Sequence, residues 1–230
     1  MDYFQSGGVK LAFRVDGAGD PIVLVHGFAS THAVNWIEPG WADALVNAGR
    51  QVVMFDLRGH GGSDDLYDAL DYDRGLMAAD ILALLDHLRI AQADIMGYSL
   101  GAMLSLRFAM DHPDRCRSVV EALLADSLHD AKTPVGRAFR AFADKNGQDR
   151  EALAACYQVP RDKLTDADLA RVEVPVLVVA GDRDEIAGSA ERLAEPIPKG
   201  EAVTIPRRDH MRTVGDPTYK QAVLAFLQKA

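Results

Sequence analysis

Cysteine is scarce in this chain of 230 residues, which contains only Cys116 and Cys156. Neither stands at metal-ligand spacing from a second cysteine or a histidine, so the sequence predicts no metal site. A disulfide between the two stays open, but two buried thiols are the preferred interpretation.

Positive charge and long apolar runs are also lacking. The chain has 25 Lys and Arg against 34 Asp and Glu, a net charge of -9, which argues against a nucleic-acid partner. No apolar run approaches the length of a membrane span, and the first residues lack the pattern of a signal peptide. We therefore expect a cytoplasmic protein without a nucleic-acid or membrane partner. The oligomeric state stays open.

Apolar runs typical of strands alternate with amphipathic runs typical of helices along most of the chain. Such alternation predicts an α/β fold with a mostly parallel sheet, helices on both faces and ligands at the carboxyl ends of the strands. The predicted strands are residues 9–15, 22–25, 51–55, 93–96, 117–122, 174–180 and 202–205. The predicted helices are residues 41–48, 76–88, 100–110, 186–194 and 217–227.

One segment, residues 126–171, breaks this alternation because it is too long for a plain crossover. Val135 and Phe139 belong to a helical spacing, and Asp149 and Thr165 are candidate caps of two further short helices. We expect a small helical lid here, inserted in a single domain whose core is residues 1–125 and 172–230.

A serine lies between two glycines in Gly97-Tyr98-Ser99-Leu100-Gly101, where a predicted strand meets a predicted helix. In that context G-x-S-x-G predicts a sharp turn that strains the serine backbone and lifts its hydroxyl above the sheet. The amide of Leu100 would point into the same space, where the helix dipole favours negative charge. The alternative is a glycine-bounded turn in which Ser99 only caps the helix.

A second backbone amide is predicted from His26-Gly27-Phe28, which follows the strand at residues 22–25. A loop there can present the amide of Phe28 toward Ser99, and Gly27 allows close approach. Together the Phe28 and Leu100 amides would form an oxyanion hole. A plain turn between strand and helix is the alternative.

A hydroxyl nucleophile needs a general base, and three histidines follow Ser99 in the chain. His112 stands at a helix end and is interpreted as a cap, while His129 falls in the lid. His210 follows the last predicted strand, at the edge of the sheet where ligands bind, and is therefore the candidate base.

An acid that orients the base is expected after the strand at residues 174–180. Asp182 and Asp184 both qualify by position, with Glu121 and Asp126 as outsiders. Asp182 directly follows a glycine and is suited to shaping the turn, whereas Asp184 reaches further toward the His210 loop. We therefore predict Asp184 as the acid.

With these residues in hand, the chain resembles the α/β-hydrolase superfamily, in its serine-nucleophile branch with a His-Gly-Phe oxyanion loop. The resemblance runs over residues 9–227 and includes a D-x-R-G-x-G-x-S loop at residues 56–63, which it marks as structural, so His60 is not expected to be catalytic. The spacing of Asp184 from Gly181 also fits the family's G-x-x-D pattern. Asp209 stands before His210 where the family often has glycine, and the lid is short for the family.

The resemblance implies acyl transfer through an acyl-enzyme on Ser99, because relatives that hydrolyse epoxides use aspartate at this position. We expect a carboxylesterase that acts on a small ester and needs no cofactor or metal. Thioesterase, carbon–carbon bond hydrolase, aminopeptidase, acyltransferase and perhydrolase activity stay open, as does a ligand-binding receptor that retains the triad.

Overall fold

The computed structural model of the chain describes residues 1–122, 134–159 and 164–229. Its centre is an eight-stranded sheet with the strand order β1-β2-β4-β3-β5-β6-β7-β8. The strands are β1 Asp2–Ser6, β2 Val9–Asp16, β3 Asp20–Val25, β4 Arg50–Phe55, β5 Ala93–Tyr98, β6 Cys116–Ala122, β7 Val176–Gly181 and β8 Gly200–Ile205.

Strands β3 to β8 run parallel to one another, whereas β1 pairs with β2 and β2 pairs with β4 in the antiparallel sense. The predicted α/β fold with a mostly parallel sheet is confirmed. Strand β1 was not predicted, because its sequence is short and polar and only Phe4 and Ser6 are buried.

Helices cover the sheet in the order that the alternation predicted. Their bounds among the described residues are α1 Trp41–Asn47, α2 Arg74–Leu88, α3 Leu100–Asp111, α4 Pro134–Lys145, α5 Arg150–Gln158, α6 Asp166–Leu169, α7 Ala190–Ala194, α8 His210–Thr213 and α9 Pro217–Leu227. Two shorter helical segments lie at Ala33–Ile37 and Ala69–Tyr72.

The prediction of one helix over residues 186–194 is wrong at its amino end, since α7 begins only at Ala190. The Asp184 carboxylate accepts hydrogen bonds from the amides of Ile186 and Ala187, and Gly188 has a φ of 82°. These two features hold the preceding residues in a turn, so Ser189 caps a shorter helix.

The core lies on both faces of the central strands, and β5 is buried along its whole length. Because both faces are covered, these strands have continuous apolar sequences and not alternating ones. Cys116 and Cys156 are both buried and are not joined in a disulfide, as preferred from the sequence. In the described part of the chain, no helix has the length and apolar character to cross a membrane.

Helices α4, α5 and α6 lie between β6 and β7, in the segment predicted as a lid. The two predicted caps are confirmed: Asp149 accepts from the amides of Glu151 and Ala152, and Thr165 forms a capping box with Asp168. The division of the chain into core and lid stays a prediction. The candidate residues Asp126 and His129 lie outside the described residues.

Candidate active site

Ser99 occupies a strained turn between β5 and α3, with φ 54° and ψ -113°. A side chain is rarely tolerated in this left-handed region. The turn is also too tight for side chains on either side of the serine. A Cβ at Gly97 would collide with the backbone of Gly101, and one at Gly101 with the carbonyl of Val25. Both glycines of the motif are therefore required by sterics.

The alternative interpretation, in which Ser99 only caps α3, does not fit the contacts of its side chain. Ser99 precedes α3, but its hydroxyl makes no capping hydrogen bond. Its Oγ lies 3.1 Å from Nε2 of His210, and both residues are 4% exposed. The strained backbone thus presents the hydroxyl to an imidazole that stands 111 residues away in the sequence.

His210 is the first residue of α8, just beyond β8, and its loop is held against the turn that carries Ser99. Asp209 caps α8 by accepting from the amide of Arg212. The Tyr98 hydroxyl donates a 2.5 Å hydrogen bond to the carbonyl oxygen of His210. Burial raises the pKa of Tyr98, so its phenol stays a protonated donor. Tyr98 therefore links the turn that carries Ser99 to the loop that carries the imidazole.

Asp184 faces the other side of the imidazole, with Oδ2 3.0 Å and Oδ1 3.3 Å from Nδ1 of His210. Burial acts to raise the pKa of this carboxyl, but the hydrogen bond to His210 and the amides of Ala187 and Ile186 outweigh it, so the pKa is lowered. An ionised carboxylate only accepts hydrogen bonds, so the imidazole proton is on Nδ1. Nε2 then faces the serine with its lone pair.

The other candidate acids and bases lie elsewhere in the fold. Asp182 is exposed and accepts a 2.6 Å hydrogen bond from the amide of Arg207, a residue with a φ of 59°. Glu121 is buried in β6, and His112 is the C-cap of α3, as predicted. Of these candidates, the structure brings only Asp184 to His210 within the part of the chain that it describes.

The His-Gly-Phe segment passes close to Ser99. A Cβ at Gly27 would lie 2.9 Å from the Tyr98 ring and 3.3 Å from Cβ of Ser99, so glycine is needed there. The Gly27 amide donates to Oδ1 of Asn35 at 2.9 Å. Among the described residues, no acceptor takes the amide N–H of Phe28 or of Leu100. Both donors are thus available to a ligand, as an oxyanion hole requires.

Two buried histidines support this loop from behind. Nε2 of His26 accepts from the amide of Leu57 at 3.0 Å, so its Nδ1–H donates to the carbonyl of Gly27 at 2.8 Å. Burial lowers the pKa of His26 to about 4 and that of His60 to about 3. The His60 ring packs edge-on against Phe28, at 5.8 Å between ring centroids. Both imidazoles are therefore neutral structural groups.

A cavity of about 340 Å³ opens beside Ser99. Its walls are mostly apolar and combine the His-Gly-Phe loop, the segment at residues 34–39, helix α4 and the region after His210. The lining residues are Gly27, Phe28, Ser30, Val34, Asn35, Glu38, Pro39, Tyr98, Ser99, Phe139, Phe142, Met211 and Val214. A second cavity of about 230 Å³, between α4 and α5, shares Phe28 and Phe139 with the first.

This geometry agrees with what the chain resembles among known proteins. The sequence profile of the α/β hydrolase fold matches residues 20–122. The crystal structure of a hydrolase from Pseudomonas aeruginosa PA01 is similar with a TM-score of 0.80 and 27% identity, covering 98% of this chain and 97% of that one. The chain therefore has the α/β-hydrolase fold, and these matches support the superfamily predicted from the sequence. The branch with a serine nucleophile and a His-Gly-Phe oxyanion loop stays a prediction.

Curated relatives of the chain differ in their named activities. One is the dihydrolipoyllysine-residue acetyltransferase component of the acetoin cleaving system of Pseudomonas putida, 29% identical over 94% of this chain and 66% of the relative. Another is 3-oxoadipate enol-lactonase 2 of Acinetobacter baylyi, 28% identical over 61% of this chain and 64% of the relative. The chain thus spans about two thirds of the length of these relatives. Hydrolases recur among the further relatives, which include a putative carbamate hydrolase of Pseudomonas syringae and a 2-hydroxymuconate semialdehyde hydrolase of a Pseudomonas species.

Three residues of this site were missed from the sequence. Asn35 fixes the amide of Gly27, His26 fixes its carbonyl, and Tyr98 fixes the loop of His210. Each joins segments whose proximity only the folded chain reveals. Tyr98 stands inside the G-x-S-x-G motif, but no spacing in the sequence points to its partner. The described residues hold no cluster of acidic, histidine and cysteine side chains suited to a metal ion.

Proposed function

We propose that this protein is a serine hydrolase that cleaves small carboxylic esters through an acyl-enzyme. Ser99 is the nucleophile, His210 the general base, Asp184 the orienting acid, and the amides of Phe28 and Leu100 the oxyanion hole. The observation that carries the proposal is the chain of contacts from Ser99 Oγ through His210 to the Asp184 carboxylate, at 3.1 and 3.0 Å. This chain of contacts lies at the wall of a cavity.

In the acylation step, Nε2 of His210 takes the hydroxyl proton while Ser99 Oγ attacks the ester carbonyl carbon. The negative charge that develops on the carbonyl oxygen is stabilised by the amides of Phe28 and Leu100. The dipole of α3 adds to this effect, because its amino end begins at Leu100. The tetrahedral species collapses by breaking the ester C–O bond, and the imidazolium returns its proton to the leaving alkoxide.

In the deacylation step, water replaces the alcohol and the same groups act again. His210 removes a proton from water, the hydroxyl oxygen attacks the acyl carbon, and the bond to Ser99 Oγ breaks as that oxygen regains the proton. The Asp184 carboxylate stabilises the imidazolium in both steps. Its lowered pKa keeps it anionic for this task.

The size and lining of the cavity favour a small acyl or alcohol group. About 340 Å³ lies at the lower end of ordinary ligand pockets. Phe139 and Phe142 of α4 line it, which supports the segment at residues 126–171 as a lid over the site. An enol-lactonase is named among the relatives, and a lactone is an internal ester. Thioesters, carbon–carbon bonds and acyl transfer to an alcohol use the same steps and are the alternatives.

A substrate panel with two variants tests this proposal. We expect turnover of activated esters, with a lower rate on matched thioesters and on vinylogous 1,5-diketones. Ser99→Ala should lose roughly 10⁴ to 10⁶ in turnover. The matched control is Ser105→Ala, because Ser105 is also a buried serine of the same helix region, bonded to the carbonyl of Gly101.

Full ester hydrolysis by Ser99→Ala, or an equal loss in both variants, would contradict the assignment of the nucleophile. Tight binding of an ester without turnover by the parent protein would favour the receptor alternative.

A further inference from the structure

The cavity beside Ser99 has one polar wall, formed by the segment at residues 34–39. Asn35 is only 4% exposed, and its Oδ1 accepts a hydrogen bond from the amide of Gly27. Glu38, one turn further on, is the one formally charged side chain among the described residues that line the cavity. The remaining walls are largely apolar.

No cation neutralises Glu38 in the part of the chain that the structure describes. Its side chain enters no ion pair or side-chain hydrogen bond there. The ammonium of Lys220, near the same segment, donates to the carbonyl of Pro39 and lies 5.8 Å from the centre of the Trp41 ring. Lys220 does not line the cavity. Glu38 is an exposed residue, so its charge acts on whatever enters the cavity but is partly screened by solvent.

The other charged groups near His210 are paired with one another or with the imidazole. The Asp184 carboxylate lies behind His210, and Asp209 stands next to His210 in the chain. The nearest arginines of that loop are already paired, Arg208 with Asp216 at 2.6 Å and Arg212 with Asp209 at 3.7 Å. Arg140 of α4 lines only the adjoining cavity of about 230 Å³, so among the described residues Glu38 is the charged side chain that a group entering the first cavity meets.

Aromatic rings line the same cavity. Phe28, Tyr98, Phe139 and Phe142 all contribute to its walls. The faces of aromatic rings attract cations, and a combination of such rings with a carboxylate is the chemistry that recognises ammonium groups. A carboxylate on the substrate would instead be repelled by Glu38 and would lose its hydration against apolar walls.

We infer that Glu38 makes this cavity selective for charge, so that the site takes esters carrying an ammonium group and rejects esters carrying a carboxylate. This inference rests on the proposed ester hydrolysis at Ser99 and names the substrate class of that site. Glu38 does not touch the reacting atoms, so the preference acts on binding of the ground state and the transition state alike. It therefore changes KM and leaves kcat nearly constant.

Three p-nitrophenyl esters of equal length, ending in trimethylammonium, tert-butyl or carboxylate, test the inference. In the parent protein we expect kcat/KM to fall in that order. Glu38→Gln keeps the shape and removes the charge, and should narrow the ratio between the cationic and the anionic ester by about tenfold, through KM. That estimate reflects one unit charge a few ångströms away and partly screened by solvent.

The matched control is Glu195→Gln, which makes the same change of net charge at an exposed site beside α7. It should leave the ratio within twofold of the parent. A Glu38→Gln ratio equal to that of the control, or a parent that prefers the carboxylate ester, would overturn the inference while ester hydrolysis at Ser99 stands. Turnover of all three esters that survives Ser99→Ala would instead overturn the proposed function.

Discussion

The two neutral histidines behind the His-Gly-Phe loop predict a loss of stability in mild acid. His26 is fully buried and His60 is 1% exposed, and burial lowers their pKa values to about 4 and about 3. In the unfolded chain both pKa values return to about 6.5. At pH values between the folded and the unfolded pKa, the unfolded chain binds more protons than the folded one. The free energy of unfolding therefore falls as the pH falls.

The size of the effect follows from these values. From pH 8 to pH 5, protonation stabilises each unfolded imidazole by about 2 kcal/mol while the folded ones stay neutral. The pair therefore removes about 4 kcal/mol. That is a large part of the 5–15 kcal/mol that is typical of a folded domain.

Urea unfolding between pH 8 and pH 5 measures this loss, and a His60→Asn variant isolates one half of it. The variant should lose about 2 kcal/mol less than the parent over the same range, whatever its stability at pH 8. His87→Asn, at an exposed histidine of α2, is the control and should follow the parent. Equal pH dependence of parent and His60→Asn would refute the reasoning. Imidazole resonances of His26 and His60 that titrate above pH 6 would refute it independently.

Three further outcomes test the site itself. Asp184→Asn should lower turnover by about 10³ to 10⁴, because its amide is the wrong hydrogen-bonding partner for Nδ1 of His210, whereas Asp182→Asn should lower turnover by less than about tenfold. Stopped assays of both variants, with folding checked by circular dichroism, measure the two losses. The reverse ranking would transfer the role of the acid to Asp182. Tyr98→Phe removes the hydrogen bond to the His210 carbonyl and should lower kcat about three- to tenfold, in proportion to a bond worth about 1 kcal/mol; unchanged kcat would show that the loop is held without it. A series of p-nitrophenyl esters should show a gradual preference for short acyl chains, because a second cavity adjoins the first past Phe28 and Phe139; an abrupt loss after one added methylene would indicate a closed pocket.

The sheet was predictable because its strands are covered on both faces. A strand such as Ile22 to Val25 must be apolar at every position, and this leaves a pattern that the sequence displays. Strand β1 lacks the pattern because it lies at the edge, with three of its five residues exposed. The amino end of α7 was missed for a different reason, since the capture of two amides by Asp184 depends on where that carboxylate is held.

The candidate nucleophile was predictable because its turn imposes a steric rule. Only glycine fits at Gly97 and Gly101, so the steric constraint of the turn is visible as a short local motif in the sequence. The choice between Asp182 and Asp184 depended on how far each side chain extends toward His210. In the structure, Asp182 accepts a hydrogen bond from the amide of Arg207, whereas Asp184 contacts His210.

The supporting contacts were not predictable in this way. Asn35 reaches Gly27 across eight residues, and Tyr98 reaches His210 across 112 residues. Such contacts require only a hydrogen-bonding group at the right place in space, and many residue types could supply one. The position of Glu38 at the cavity was likewise not predictable, because nothing in its local sequence distinguishes it from other exposed glutamates.

Covalent labelling of Ser99 tests the central claim most directly. The protein would be treated with a fluorophosphonate probe, digested and analysed by mass spectrometry to locate the modified residue. The account predicts one phosphonylated serine, in the peptide that contains Gly97-Tyr98-Ser99, with labelling abolished in Ser99→Ala, strongly slowed in His210→Ala and unchanged in Ser105→Ala. Labelling at another residue, or labelling at the parental rate in Ser99→Ala, would contradict it.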